Sequence, residues 1–228
     1  MAKELLEVRV NGSELLVLRG CPDQAMSDDM MASTLYTQLA ADHQFNKFDM
    51  FSQWQDILLN ASSKFGWLRL DVTDTQERAE TTGTLTPADV FGALLPASLA
   101  HWQGDPLRSL FTQLCAATGN GEAFRLLKQG MFRTSSSGDA CTVVMRLSFM
   151  GPTGERVSLS LAFETRETLG ENPFNQCFSR HQLIGNMMCS RVIAQFDGIR
   201  YAPLRTRVNK ALQAKQPGLV FPVTVVGL

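Results

Sequence analysis

Cys177 and His181 stand four residues apart, so a helical segment would set a thiol and an imidazole on one face. There the histidine could take the thiol proton, or both side chains could ligate a metal ion. Either chemistry needs more partners. A nucleophilic cysteine requires a base oriented by a third group, and a zinc ion requires ligands that Cys189 alone cannot complete. Cys177 and His181 are therefore the candidates for catalysis, with an ordinary structural pair as the expectation. His43 follows Asp42 at a predicted helix end, and His101 precedes Trp102 in a predicted loop, where surface or capping roles are expected.

Two further clusters have the right atoms for chemistry. Asp71, Asp74 and Glu77 offer carboxylates to a hard cation, but their spacing does not match an EF-hand, and a solvated loop is expected. Thr118-Gly119-Asn120-Gly121 could present backbone amides to a phosphate. It lacks the lysine of a P-loop and a preceding strand, so a helix terminator and turn is expected. Neither a cofactor nor a metal is expected.

Charge is distributed unevenly. Residues 176–228 carry seven Lys and Arg against one acidic residue, whereas the first 100 residues carry seven against fourteen. Arg191, Arg200, Arg205, Arg207, Lys210 and Lys215 lie near Phe196 and Tyr201, a mixture that can contact a nucleic-acid backbone and stack on bases. A sequence pI near 6.3 lacks the basicity of a dedicated nucleic-acid binder. The reading preferred here is a non-catalytic interaction or assembly component. Arg200, Arg205, Arg207 and Lys210 would form its face for an acidic protein surface, including the acidic N-terminal half of another copy in a head-to-tail contact. The alternatives are an enzyme, a hydrolase or transferase, whose catalytic residues are distant in sequence, and a nucleic-acid-binding module.

The elements that must position these residues follow from periodicity. Leu6, Val8 and Val10 alternate with Glu7 and Arg9 before Asn11-Gly12, which predicts a hairpin returning through Leu15–Leu18. Ser27-Asp28-Asp29 predicts a capped helix start, with Met31, Leu35 and Leu39 as its stripe. Phe51, Trp54, Leu58, Ala61 and Phe65 predict a second helix, ended by Gly66. Trp67–Val72 reads as a strand with Leu68, Leu70 and Val72 on one side, followed by a polar loop through Thr84. Thr86-Pro87 and Asp105-Pro106 predict two helix starts, and Glu122–Lys128 a further short helix.

Val143, Met145, Leu147 and Phe149 mirror Val157, Leu159, Leu161 and Phe163 across Gly151–Gly154, predicting an antiparallel pair. Its other face, with Arg146, Ser148, Ser158, Ser160 and Glu164, is expected to be solvated or to meet a polar partner. Residues 188–196 and 219–226 are read as strands, and 203–214 as a helix. The fold class is therefore α+β, a mainly antiparallel sheet built from hairpins, with four to six helices packed on it or forming a helical subdomain. A single domain, 1–228, is expected, with the helical subdomain at 27–131 and a joint at 133–138.

With 44% hydrophobic and 19% charged residues, the chain has enough apolar surface to offset its conformational entropy. The five cysteines (21, 115, 141, 177 and 189) are an odd number without CxxC spacing, which predicts reduced thiols, with Cys115 and Cys141 in the core. The sequence has no apolar stretch near the ~20 residues of a membrane span, and its first residues lack the regions of a signal peptide. A cytoplasmic location is expected, or export by a route that reads no N-terminal signal.

Overall fold

In the computed structural model, which describes residues 6–20, 23–78 and 82–226, the first alternating run folds as the hairpin of β1 (Leu6–Asn11) and β2 (Glu14–Arg19). Asn11 pairs with Glu14, so the two-residue turn is Gly12-Ser13 rather than Asn11-Gly12. Gly12 alone supplies the positive φ, 66°.

Helix α1 (Gln24–Gln44) starts one turn earlier than the Ser27 signal, because Asp23 accepts from the amides of Ala25 and Met26. Helix α2 (Phe51–Lys64) carries the apolar stripe its spacing predicts, burying Phe51, Trp54 and Leu58. Gly66, at φ 94°, then turns the chain into β3. A Cβ there would stand 3.0 Å from the Phe196 ring.

Strand β3 (Trp67–Arg78) continues well past Val72, through residues expected to form a loop. Its partner β9 is long enough to pair with it as far as Arg78. A register shift between Arg69 and Asp71 leaves Leu70 65% exposed, so Leu68, Leu70 and Val72 do not share one face.

A short β4 (Thr84–Leu85) leads to α3 (Pro87–Leu94), whose cap is Thr86, accepting from the Asp89 amide at 3.1 Å. Helix α4 (Asp105–Ala116) has Gly104 in the cap position and Asp105 in its first turn. Helix α5 (Gly121–Met131) follows a 3-10 turn. Residues 133–138 are the end of β5 (Phe132–Thr134) and a turn in which the Ser135 amide donates to the Ala140 carbonyl, leading into β6 (Cys141–Met150). Then come β7 (Glu155–Thr165), β8 (Phe178–Ser179), β9 (Leu183–Phe196), α6 (Gly198–Tyr201), α7 (Arg205–Leu212) and β10 (Val220–Val223).

The fold is α+β, with a mainly antiparallel sheet in the order β10-β1-β2-β6-β7-β9-β3, β5 lying beside β6, and one parallel contact, β2 with β6. Strands β4 and β8 form a separate two-stranded ribbon. Val143 faces Phe163 and Leu147 faces Leu159, the pairing that the mirrored alternation predicts.

The helices between residues 27 and 131 are split between the two faces of the sheet. α3, α4 and α5 cover one face through Phe91, Leu107, Leu110, Phe111 and Leu127, against Val8, Val17, Met145 and Leu159. α1, α2 and α7 cover the other, with Met30, Leu35, Trp54, Leu58, Val208 and Leu212.

This second layer overturns the expectation for the polar face of β6 and β7. Arg146, Ser148, Arg156, Ser158 and Ser160 are buried beneath α1 and α2. The helices supply what water would have supplied. Gln38 Nε2 donates to Glu14 Oε2 at 2.9 Å, Arg156 Nη1 donates to Thr34 Oγ1 at 3.0 Å, and the Arg156 guanidinium lies 3.9 Å above the Trp67 ring.

Candidate functional site

The basic C-terminal face is built on α6 and α7. Asp197 starts α6 by accepting from the amides of Ile199 and Arg200, both at 3.1 Å. Val208 and Leu212 then anchor α7 against α1. That packing fixes which basic residues point outward.

Arg205 is committed within the chain. Its Nε donates to both carboxylate oxygens of Asp29, at 2.8 and 3.0 Å, and Nη2 donates to Oδ2 at 2.5 Å. Hydrogen bonding to Asp29, and then its charge, raises Arg205 above its ordinary pKa. Tyr201 beside them is pushed up to about 12, first by burial and then by the charge of Asp29. Arg200 stands 3.7 Å from Asp197 and stays exposed. Arg207 and Lys210 are exposed and have no carboxylate within ion-pair distance among the described residues. Lys210 borders an open groove with Arg9, Asp28, Asn209 and Gln213.

The remaining basic residues are scattered by the fold. Arg191, on β9, donates to Asp71 on β3 at 3.2 Å, and Arg180, in the turn before β9, stands 3.7 Å from Glu77 on β3. The two charge poles of the sequence therefore meet inside one molecule. These pairs also separate the acidic cluster, since Asp74 instead accepts from Gln55. Among the described residues, no group of three or more His, Cys, Asp and Glu could hold a metal ion.

Cys177 and His181 do not lie on a helix. The exposed Cys177 precedes β8, and His181 lies in a 3-10 turn (Arg180–Gln182), so the four-residue spacing no longer sets them on one face. No hydrogen bond joins them. Cys141 and Cys189 are buried and Cys115 half-buried. Burial pushes the Cys115 and Cys189 thiols up to about 11, the opposite of activation. Cys21 lies outside the described residues.

The Thr118–Gly121 turn is occupied by structure. The Asn120 side chain donates to the carbonyls of Gln113 and Thr224 and accepts from the Thr224 amide. His43 and His101 are exposed, at the end of α1 and in a 3-10 turn (Ala97–Trp102).

Sequence reasoning missed the buried charges Glu14, Lys47 and Arg156. For Glu14 and Arg156 the only signal was a charged residue at the margin of an apolar run, which reads as ordinary strand amphipathicity until a second helical layer is known, and Lys47, in the turn between α1 and α2, gave none.

No protein-family model matches the chain, and no curated protein matches its sequence. Among solved structures it is similar to a delta-endotoxin, at 14% identity and a TM-score of 0.43, over 82% of this chain and 84% of that one. It is also similar to the activated Cyt2Ba monomer from Bacillus thuringiensis subsp. israelensis, at 11% identity and 0.43, over 82% of this chain and 98% of that one. A third is the Evf virulence factor, at 10% identity and 0.41, over 86% and 77%. No helix among the described residues is long and apolar enough to cross a membrane.

Proposed function

We propose that this chain is a non-catalytic interaction or assembly component that docks an acidic protein surface on the exposed face of α6 and α7. Arg200, Arg207 and Lys210 make the contact, and Arg205 holds the helix in place through Asp29. The observation that carries this reading is the contrast between basic residues. Arg180, Arg191 and Arg205 each have a carboxylate from the first half of the chain, whereas Arg207 and Lys210 have none among the described residues. Pairing also occupies Asp29, Asp49, Asp71, Glu77 and Asp89. That favours a different acidic protein over the N-terminal half of a second copy.

Exposed charges act over about 10 Å at moderate salt, so the complex should weaken steeply as ionic strength rises. The test uses a poly-glutamate peptide as the acidic probe, with light scattering to follow self-association. Binding at low salt, lost on reversing Arg207 and Lys210 to Glu without a change in Tm, is the expected result. Tight binding of a generic single-stranded oligonucleotide at physiological salt, with no response to poly-glutamate, would replace this reading with a nucleic-acid module.

A further inference from the structure

Three cationic side chains, Lys47, Arg146 and Arg156, are buried between the sheet and the α1–α2 layer. The buried carboxylate that acts on all three is Glu14, which stands 3.3 Å from Arg146 Nη1, while Asp42 acts on Lys47 from the exposed rim. Cations withdrawn from water without matching negative charge are strongly disfavoured, so such groups lose their charge or gain a counter-charge. Lysine can take the first course, and burial lowers Lys47 to about 8. A guanidinium cannot do so near neutrality. Arg156, lowered by burial to about 10, remains protonated there.

Under α2 lies a cavity with room for a single water-sized species, lined by Arg146, Arg156, Ser158 and Ser160 from the sheet and by Gln55 and Ser62 from the helix. Arg156 Nε has no acceptor among the described residues. Arg146 Nη1, although at ion-pair distance from Glu14, makes no hydrogen bond to it. The hydroxyls divide in an informative way. Ser148 donates to Glu14, so the proton shared between Ser148 and Ser158 comes from Ser158. Ser160 Oγ accepts from Arg146 Nε, which leaves its own O–H proton free. Two arginines, each with a guanidinium nitrogen lacking an acceptor among the described residues, and a serine with an unengaged hydroxyl proton therefore line one small space.

We propose that this cavity binds a monatomic anion of the halide class, held by Arg146, Arg156 and the Ser160 hydroxyl. Its charge would offset the excess of buried cations and tie α2 to the sheet. Water is the competing occupant. Gln55 Oε1, which lacks a donor among the described residues, also belongs to a residue lining the cavity, and water could satisfy it while an anion could not. Charge balance favours the anion.

The test is thermal unfolding at fixed ionic strength, as sodium gluconate is replaced by sodium chloride or bromide. Halide should raise Tm along a saturating curve, because a ligand of the folded state alone stabilises by mass action. Ser160→Ala should weaken the apparent halide affinity several-fold, and Arg156→Gln should abolish the response. Should Arg156→Gln fail to fold, anomalous scattering from bromide-soaked crystals of the unaltered chain decides, with a peak in the cavity expected. An unsaturating response equal for all anions, or water only in the cavity, would overturn the proposal.

Discussion

Leu159 and Ser160 are neighbours on β7 that point into different interiors. Leu159 belongs to the apolar layer under α3–α5, whereas Ser160 faces α2 and accepts from the buried Arg146. Leu159→Ala should cost about 2–5 kcal/mol through the cavity it leaves. Read from the sequence, Ser160 lies on a solvated face and its truncation should cost under about 0.5 kcal/mol. In the fold, Ser160→Ala strips an acceptor from a buried guanidinium and should cost about 1–3 kcal/mol, measured by urea denaturation. The alternation of β7 was thus legible and its surroundings were not, because a period of two assigns faces without saying what covers them. Lys47 supplies a second residue-scale prediction. Its folded pKa, lowered to about 8, lies below the ordinary 10.5, so between these values the unfolded chain binds the extra proton and stability rises with pH. The stability of the natural chain relative to Lys47→Met should therefore increase from pH 8 to 10.5, by up to about 3 kcal/mol, and stay flat below pH 7. A flat difference across that window would mean that Lys47 is not desolvated. The buried thiols and Tyr201 titrate alike in both proteins and cancel.

At the scale of elements, the signals that survived are those with a local mechanism. Thr86-Pro87 starts α3 because an oxygen acceptor and a preset φ act within one turn, and Gly66 ends α2 because it takes a positive φ, 94°, that other residues rarely adopt. Strand β3 was under-read because its outer half is polar and exposed. Its extension depends on β9, more than a hundred residues away, which no local window contains. The attachment of α7 is non-local in the same way. In the sequence Asp29 reads as part of a helix start, but it is buried within α1 and binds Arg205. Removing Arg205 would leave that carboxylate without its main partner. Arg205→Ala should lower stability, by an amount tempered by the exposure of the arginine itself. Arg205→Lys should recover only part of it, since an ammonium cannot reproduce the two-pronged contact. Equal stability of all three proteins in denaturant titrations would show that Val208 and Leu212 alone hold the helix.

At the scale of the whole molecule, the two helical layers rest on chemically different faces of one sheet. The α3–α5 layer meets a continuous apolar surface, where burial contributes roughly 25 cal/mol per Å² without directional requirements. The α2 contact is apolar at Trp54 and Leu58 and polar between Arg146, Arg156 and the serines, and there the gain from pairing must first offset desolvation. The sequence could not show this, because the order of strands and the face each helix chooses depend on contacts between distant residues. It did show the ingredients, namely polar residues at alternate positions of β6 and β7. Unequal faces imply unequal local stability, and the element held through a polar centre should open first. Native-state hydrogen exchange in low denaturant should therefore find the amides of α2 released at a lower opening free energy than those of α4, before global unfolding. Arg146→Leu tests the cause. If the polar centre sets the difference, this substitution should change protection in α2 while leaving α4 near its original value. Uniform protection of α2 and α4 in the natural chain would instead mean that both layers and the sheet unfold as one cooperative unit.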